Sequence, residues 1–453
     1  MLPGDSAGRV VSISIDPIRG LAVEVLLEVE KGSFLDTALD RARGRLTEQG
    51  PAVGRLHFLT TGTVKWQGRL DYELNSRLPR GVDSLPRPCR AVLRLALFEM
   101  RMSNVPDYAV VDTAVDLIRA LGLGGLGSLV NALLREAGRQ REPDPPTDEF
   151  ERLSVTTSHP RWLLETVVES YGLEAAEALA DWDNAPPPLW VRVDLSRVTV
   201  ERARELLEAQ GVSAGPAGPL PGYLLLGQGA VPATISGISE GWLTVQDPSA
   251  GLASLMAVPL EGRRVADICA APGGKSTHLA ELGRGGAIVE ATDSDPERYH
   301  LLCDNVRRHG GKGLRVRLFE EVMSGVRSYD VVLVDAPCSN LGVLRRRADA
   351  RWRIGSRDLS RLATLQLELI EKGAELVRPG GVLVYSTCTI AAEENEMVVE
   401  RFLSKHNEFD CDNVPPQLPR AFIKDRATVG SLPWRDSIDG AFAVRLIRRD
   451  HDV

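Results

Sequence analysis

Strands are read over 264–269 and 287–292, and two short apolar runs bounded by Gly, Pro and Ser stand out in the C-terminal half of the chain, Val331-Val332-Leu333-Val334 and Val382-Leu383-Val384-Tyr385. Each is too short for a helix and apolar on both faces, which predicts buried strands of a parallel sheet. Helical patterns alternate with them from residue 241 onward, as in a doubly wound α/β domain. The N-terminal pattern is different. Ala22, Val25, Leu26 and Val29 fall at helical spacing, and 89–100, 111–121 and 129–134 repeat it, which predicts an all-α domain. Glu142-Pro143-Asp144-Pro145-Pro146 breaks that pattern as a linker. Beyond it, helices over 162–171 and 173–181 mix with strands over 189–193 and 223–226, a small α+β connector. The expected domains are therefore 1–145, 146–240 and 241–453.

At 453 residues, 43% of them hydrophobic and 26% charged, the chain has the composition of an ordinary multidomain globular protein. No apolar 20-mer predicts a membrane span, and the first residues lack a secretory pattern, so a cytoplasmic protein is expected. Six scattered cysteines fit neither a zinc site nor a disulfide framework and are expected to be reduced thiols. The net charge of -8 argues against nucleic-acid binding by bulk positive charge. Arg345-Arg346-Arg347, Arg351, Arg353 and Arg357, with Trp352 among them, predict instead a local phosphate-gripping loop.

Two segments carry the chemistry. Asp335-Ala336-Pro337-Cys338 and Ser386-Thr387-Cys388 each place a cysteine where a predicted strand stops. Neighbouring strands lie about 4.8 Å apart, so if these two are neighbours both thiols reach one crevice at the carboxyl ends, where open α/β sheets bind ligands. The plain alternative is a pair of small buried hydrophobes. A second site begins at the first strand of this domain, followed by Cys269-Ala270-Ala271-Pro272-Gly273-Gly274-Lys275 and a helix. Small residues there let the backbone approach a ligand, and the helix start favours an anionic group. Asp293 closes the second strand, about 20 residues on, where an acidic side chain can hold ribose hydroxyls. A Walker A loop is excluded because the earlier Gly it requires is missing.

Asp267-Ile268-Cys269-Ala270-Ala271-Pro272-Gly273-Gly274-Lys275, Asp335-Ala336-Pro337-Cys338-Ser339 and Thr387-Cys388 resemble the motifs of the Sun/Fmu family of RNA cytosine-5 methyltransferases. Residues 18–141, with Ser128-Leu129-Val130-Asn131-Ala132-Leu133-Leu134-Arg135, resemble the NusB-type RNA-binding domain of its bacterial ribosomal members. Ser158-His159-Pro160-Arg161-Trp162 and Val245-Gln246-Asp247-Pro248 are similar to that subgroup's connector and the start of its catalytic domain. The resemblance implies a Rossmann-like methyltransferase domain behind a NusB-like domain, with S-adenosylmethionine as methyl donor. It implies a cytidine of 16S ribosomal RNA as substrate, met free or in an early assembly intermediate, and a monomeric enzyme. It assigns the nucleophile to Cys388 and the elimination step to Cys338. Asp335 is assigned to the cytosine edge or the donor, Lys275 to orienting the base, and residues 269–275 with Asp293 to the donor.

Departures from the family pattern set the remaining expectations. The stretch Val316-Arg317-Leu318-Phe319-Glu320-Glu321 lacks the usual donor-side Asp, leaving Glu320 or Glu321 to replace it. Asn340-Leu341-Gly342, Arg347-Ala348 and Asp439-Gly440-Ala441-Phe442 also differ from the pattern. The alternatives to a ribosomal RNA enzyme are a transfer-RNA cytosine-5 methyltransferase and a catalytically weak RNA-binding or assembly factor.

Overall fold

A computed structural model describes residues 16–46, 50–140 and 142–450. The secretory-pattern reading of the first residues and the Arg141 end of the helical region fall largely outside them. The described chain forms two compact units, one of residues up to Glu165 together with Arg347–Arg353, the other of Thr166–Arg346 and Ile354 onward.

The first unit is helical. Asp16 caps the helix Pro17–Glu30 by accepting from the amides of Ile18 and Arg19, and Pro17 supplies a pre-set first turn. Arg87–Met102 is buried almost all round, as a central helix must be. Its one buried carboxylate, Glu99, is gripped by Arg19 through Nε at 2.7 Å and Nη2 at 2.8 Å. Removing one partner of such a pair costs about 3–5 kcal/mol. Pro51–Lys65 is a helix that the sequence pattern concealed, because Gly54, Gly62 and three threonines interrupt the periodicity. Two of those hydroxyls are absorbed locally, Thr60 on the Leu56 carbonyl and Thr63 on the Leu59 carbonyl.

The arginine-rich loop is a correction to the phosphate-binding reading, because its cations are spent on protein. Arg347–Arg353 completes the first unit. Ala348 joins its core, and Trp352 packs against that core and donates to the Val64 carbonyl at 2.7 Å. Arg351 is fully buried on the carbonyls of Lys65 and Ser158, Arg353 donates to Gly32 and Ser33, and Arg347 pairs with Asp36. In the second unit, Arg345 stacks 4.0 Å over Trp182 and bonds the Ala185 carbonyl, while Arg346 bridges Asp439 and Asp247. Arg357 alone of the set is exposed without a recorded partner.

The second unit holds two sheets. Strands β1 (Leu189–Val193), β2 (Ala214–Ala217), β3 (Tyr223–Leu226) and β4 (Leu243–Val245) form an antiparallel sheet ordered β2-β3-β1-β4. The larger sheet contains β5 (Arg264–Asp267), β6 (Ile288–Ala291), β7 (Leu314–Val316), β8 (Tyr329–Asp335), β9 (Val377–Thr387), β10 (Phe409–Cys411), β11 (Thr428–Ser431) and β12 (Ala441–Arg448). Its order is β10-β12-β9-β8-β5-β6-β7, with β11 paired to β12. Strands β5 to β9 are parallel and β12 runs antiparallel to β9. The order reverses direction at β5, between β6 and β8, which makes the carboxyl ends of β5 and β8 the switch point for ligand binding. Two arginines break the apolar pattern of β12. Arg445 and Arg448 are nonetheless buried, because each caps a pair of inward-facing carbonyls, those of Met256 and Val258 and those of Ala374 and Val377.

Candidate active site

Strands β8 and β9 are neighbours in register, with Asp335 opposite Ser386. The chain leaves both at the same edge, and the Sγ atoms of Cys338 and Cys388 lie 3.2 Å apart. Both are free thiols; Cys338 is buried and Cys388 partly exposed. Asn340 ties the two loops together. Its backbone takes φ 62°, which Asn tolerates better than most residues, its amide nitrogen donates to the Cys338 carbonyl at 3.0 Å, and its Oδ1 accepts from Cys388 Sγ at 3.3 Å. Behind it, Ser339 bonds Thr389 at 2.8 Å, and the buried Glu394 accepts from the Ser339 amide at 2.9 Å and from Gln366 at 2.8 Å.

Two glycines close the thiol loop. The Gly342 amide donates to the Cys388 carbonyl at 3.0 Å, and the Gly440 amide donates to the Gly342 carbonyl at 2.7 Å. A Cβ on Gly342 would lie 2.8 Å from both the Cys388 oxygen and the Gly440 Cα, so no side chain fits. The departures noted around Asn340 and Gly440 thus fall on residues that shape the site.

Lys275 projects from the first turn of the helix Gly274–Leu282 and meets Asp335 at 2.6 Å; the other Asp335 oxygen accepts from Ser386 at 2.8 Å. Burial opposes the charge on Lys275, but Asp335 outweighs it, with Cys388 adding to the effect, and the ammonium is held above its ordinary range. Cys338 is pushed well above the usual thiol range, first by its hydrogen bond to Cys388 and then by burial. It is held as a thiol.

The second cluster lies at the ends of β5 and β6. Gly273 turns the chain with φ +105° into the helix, whose first amides lack intrahelical acceptors. Asp293 is buried and accepts from the amides of Ala271 and Asp295 and from Arg298. Asp267, quoted in the motif but not singled out as a site residue, is fully buried at the end of β5. Ser276 bonds its Oδ2 at 2.7 Å, while Oδ1 has no partner, and burial raises its carboxyl to about 7. An orphan buried carboxylate oxygen is costly unless a ligand donates to it. This is the observation by which the cluster fits a ligand that brings a hydrogen-bond donor, such as the ammonium or a ribose hydroxyl of S-adenosylmethionine. Cys269 is packed against the core with its thiol raised by burial, and His278 is buried and driven down to about 3. Glu320 is exposed in the short helix Phe319–Met323 after β7, while Glu321 faces Arg317 at 3.5 Å.

Sequence reasoning missed Asp267, Asn340 and Glu394. Asp267 could have been found as an acidic residue in an otherwise apolar strand; Asn340 and Glu394 act through loop geometry that no spacing announces.

A Rossmann-like sheet with a glycine turn after its first strand and a buried acid after its second defines a binding site for a ribose-bearing ligand, here one with paired thiols on the neighbouring strands. Residues 254–447 match the family model for 16S rRNA methyltransferase RsmB/F, residues 16–139 that of the NusB family, and residues 159–232 that of the RsmF/B-like ferredoxin-like domain. Ribosomal RNA small subunit methyltransferase B of Klebsiella pneumoniae (strain 342) is 30% identical over 95% of this chain and 98% of its own. The protein of the same name from Escherichia coli (strain SMS-3-5 / SECEC) is 29% identical over 95% and 99%. The crystal structure of PH0851 is similar at a TM-score of 0.83 and 29% identity, over 96% of this chain and 99% of that one. The chain belongs to the RsmB/F family of S-adenosylmethionine-dependent methyltransferases. Among the described residues no helix is long and apolar enough to cross a membrane.

Proposed function

We propose that the protein methylates C5 of a cytidine in 16S ribosomal RNA through a covalent bond between Cys388 and C6. The observation that carries this reading is the meeting of two thiols 3.2 Å apart, on neighbouring strand ends, beside the Lys275–Asp335 pair. S-adenosylmethionine supplies an electrophilic methyl group on a sulfonium; the residues at 269–275, with Asp267 and Asp293, are those that would hold it. Unaided, C5 of cytosine is a poor nucleophile. Addition of the Cys388 thiolate to C6 moves electron density onto C5, which then takes the methyl carbon while the sulfonium electrons return to sulfur. Loss of the C5 proton next drives the C6–S bond to break and regenerates the Cys388 thiolate.

The electrostatics support a division of labour. The main cause that keeps Cys338 protonated is its hydrogen bond to Cys388. With Cys388 bonded to carbon, Cys338 is the thiol that remains 3.2 Å from the adduct sulfur, placed to take the C5 proton as a thiolate. Lys275, kept cationic by Asp335, stabilises a nearby thiolate and polarises the base. The target must be unstacked to reach both thiols, which favours loops and single strands.

Purified protein incubated with labelled S-adenosylmethionine and unmodified small-subunit ribosomal RNA, then digested to nucleosides, tests the reading. Labelled 5-methylcytidine is expected. Label on another nucleoside, or only in transfer RNA, would overturn it.

A further inference from the structure

The donor loop is anchored from behind, and one of its anchors comes from the antiparallel sheet. All five carbonyls from Ala270 to Gly274 are engaged within the protein. Ala270 accepts from the Gly273 amide at 2.7 Å and Gly273 from the Thr277 amide at 2.9 Å. Ala271 accepts from Arg298 at 2.8 Å, Pro272 from Asn305 at 2.8 Å, and Gly274 from Arg192 at 2.9 Å. Arg298 and Asn305 both lie on the helix Pro296–His309, which follows β6. Arg192 lies on β1, inside the segment that matches the ferredoxin-like model.

Arg192 is 1% exposed, and each of its five N–H groups has an acceptor. Nε and one Nη2 hydrogen fork onto Glu281 at 2.8 and 2.7 Å, and the second Nη2 hydrogen reaches Thr277 at 2.9 Å. Nη1 serves Gln246 and the Gly274 carbonyl. Gln246 is fixed in turn by the buried Tyr223 hydroxyl at 2.7 Å, and Glu281 also meets His309 at 3.0 Å. Three of these acceptors, Gly274, Thr277 and Glu281, belong to the helix that follows the donor turn. One planar cation therefore sets the rotation and height of that helix, and with them the aim of its free first-turn amides.

We propose that Arg192 is a positioning residue for the methyl donor, and that the ferredoxin-like module forms the rear wall of the donor site. The inference rests on the reading that residues 269–275 hold the donor. It requires the forked guanidinium and not charge alone. A lysine at 192 keeps a cation beside Glu281 but has no fork with which to hold Gly274, Thr277 and Gln246 together.

The test is calorimetric titration of the full-length protein with S-adenosylhomocysteine, alongside RNA affinity and melting temperature. Arg192→Lys is expected to weaken S-adenosylhomocysteine binding about tenfold, in the range seen when groups that orient ligand-binding residues are lost, with RNA affinity unchanged. Glu281→Gln, which spares the bond to Gly274 but removes half of the fork, is expected to lower the melting temperature and to weaken that binding less than Arg192→Lys does. Should Arg192→Lys fail to fold, Arg192→Met with Glu281→Gln leaves no unpaired buried charge and carries the same expected loss. Folded variants that bind S-adenosylhomocysteine as wild type does would overturn the inference while leaving the donor reading intact. Wild type that binds none would overturn the donor reading and the inference with it.

Discussion

Cys338 and Cys388 sit at the same edge of the same sheet, 3.2 Å apart, yet their surroundings differ. Cys338 is buried behind a hydroxyl and carboxylate network, with its pKa pushed up by its partner and by burial. Cys388 is partly exposed, faces Asn340, and lies within the electrostatic reach of the Lys275 cation. The two residues share one chemical type but not one setting, since one is buried near the Glu394 carboxylate and the other is partly exposed near a cation; on the proposed reaction that difference divides their duties. Nothing in the cysteine side chain distinguishes them.

Substitution separates the two most sharply. Cys388→Ala is expected to abolish methylation, a loss of about 10³-fold or more; a variant that still formed labelled 5-methylcytidine at the wild-type rate would end the covalent reading. Cys338→Ala leaves the attack intact and removes the group that completes elimination. A methyl-labelled RNA–protein adduct should then survive denaturing electrophoresis while turnover falls, and clean multiple turnover without adduct would refute the role.

The loop that holds the pair comes next. Gly342→Ala sets a methyl group against the Cys388 carbonyl and Gly440, and a displacement near 1 Å costs about 10²-fold in rate. The measurement is kcat against KM for RNA, with the loss expected in kcat. The smallest effect lies at the donor end. Asp267 is raised to about 7 by burial, so it is half protonated near neutrality. A cationic donor favours the anion, so binding expels a proton and affinity rises as the pH passes upward through about 7, by up to tenfold per unit below it. Asp267→Asn should flatten that slope; an unchanged slope would show that another group titrates.

The strands that carry the site were legible because they are buried on both faces, so the pattern marked Val331–Val334 and Val382–Tyr385 as strands; that they are neighbours was a condition, which the register of β8 on β9 meets. Strand β12 was not, since Arg445 and Arg448 break the apolar run while bonding carbonyls that only the folded chain brings near. The arginine loop misled for the same reason. A run of cations reads alike whether it faces phosphate or protein, and here Arg351 and Arg353 are consumed by backbone oxygens remote in sequence. Cys338, Cys388, Lys275 and Asp335 were readable as residues at strand and helix ends. The Asn340 bridge and the glycine contact at Gly342 were not, because they depend on positive φ and on an approach between segments about a hundred residues apart.

The helical unit takes Ala348 and Trp352 from a stretch made long after its own helices. During synthesis those helices therefore leave the ribosome with part of their core still missing. At about 5–20 residues per second, roughly ten seconds or more separate their emergence from its completion. The unit's final stability is thus reached only once residue 353 has been made, and a nascent chain cut short before it would carry an N-terminal domain that is helical but incomplete.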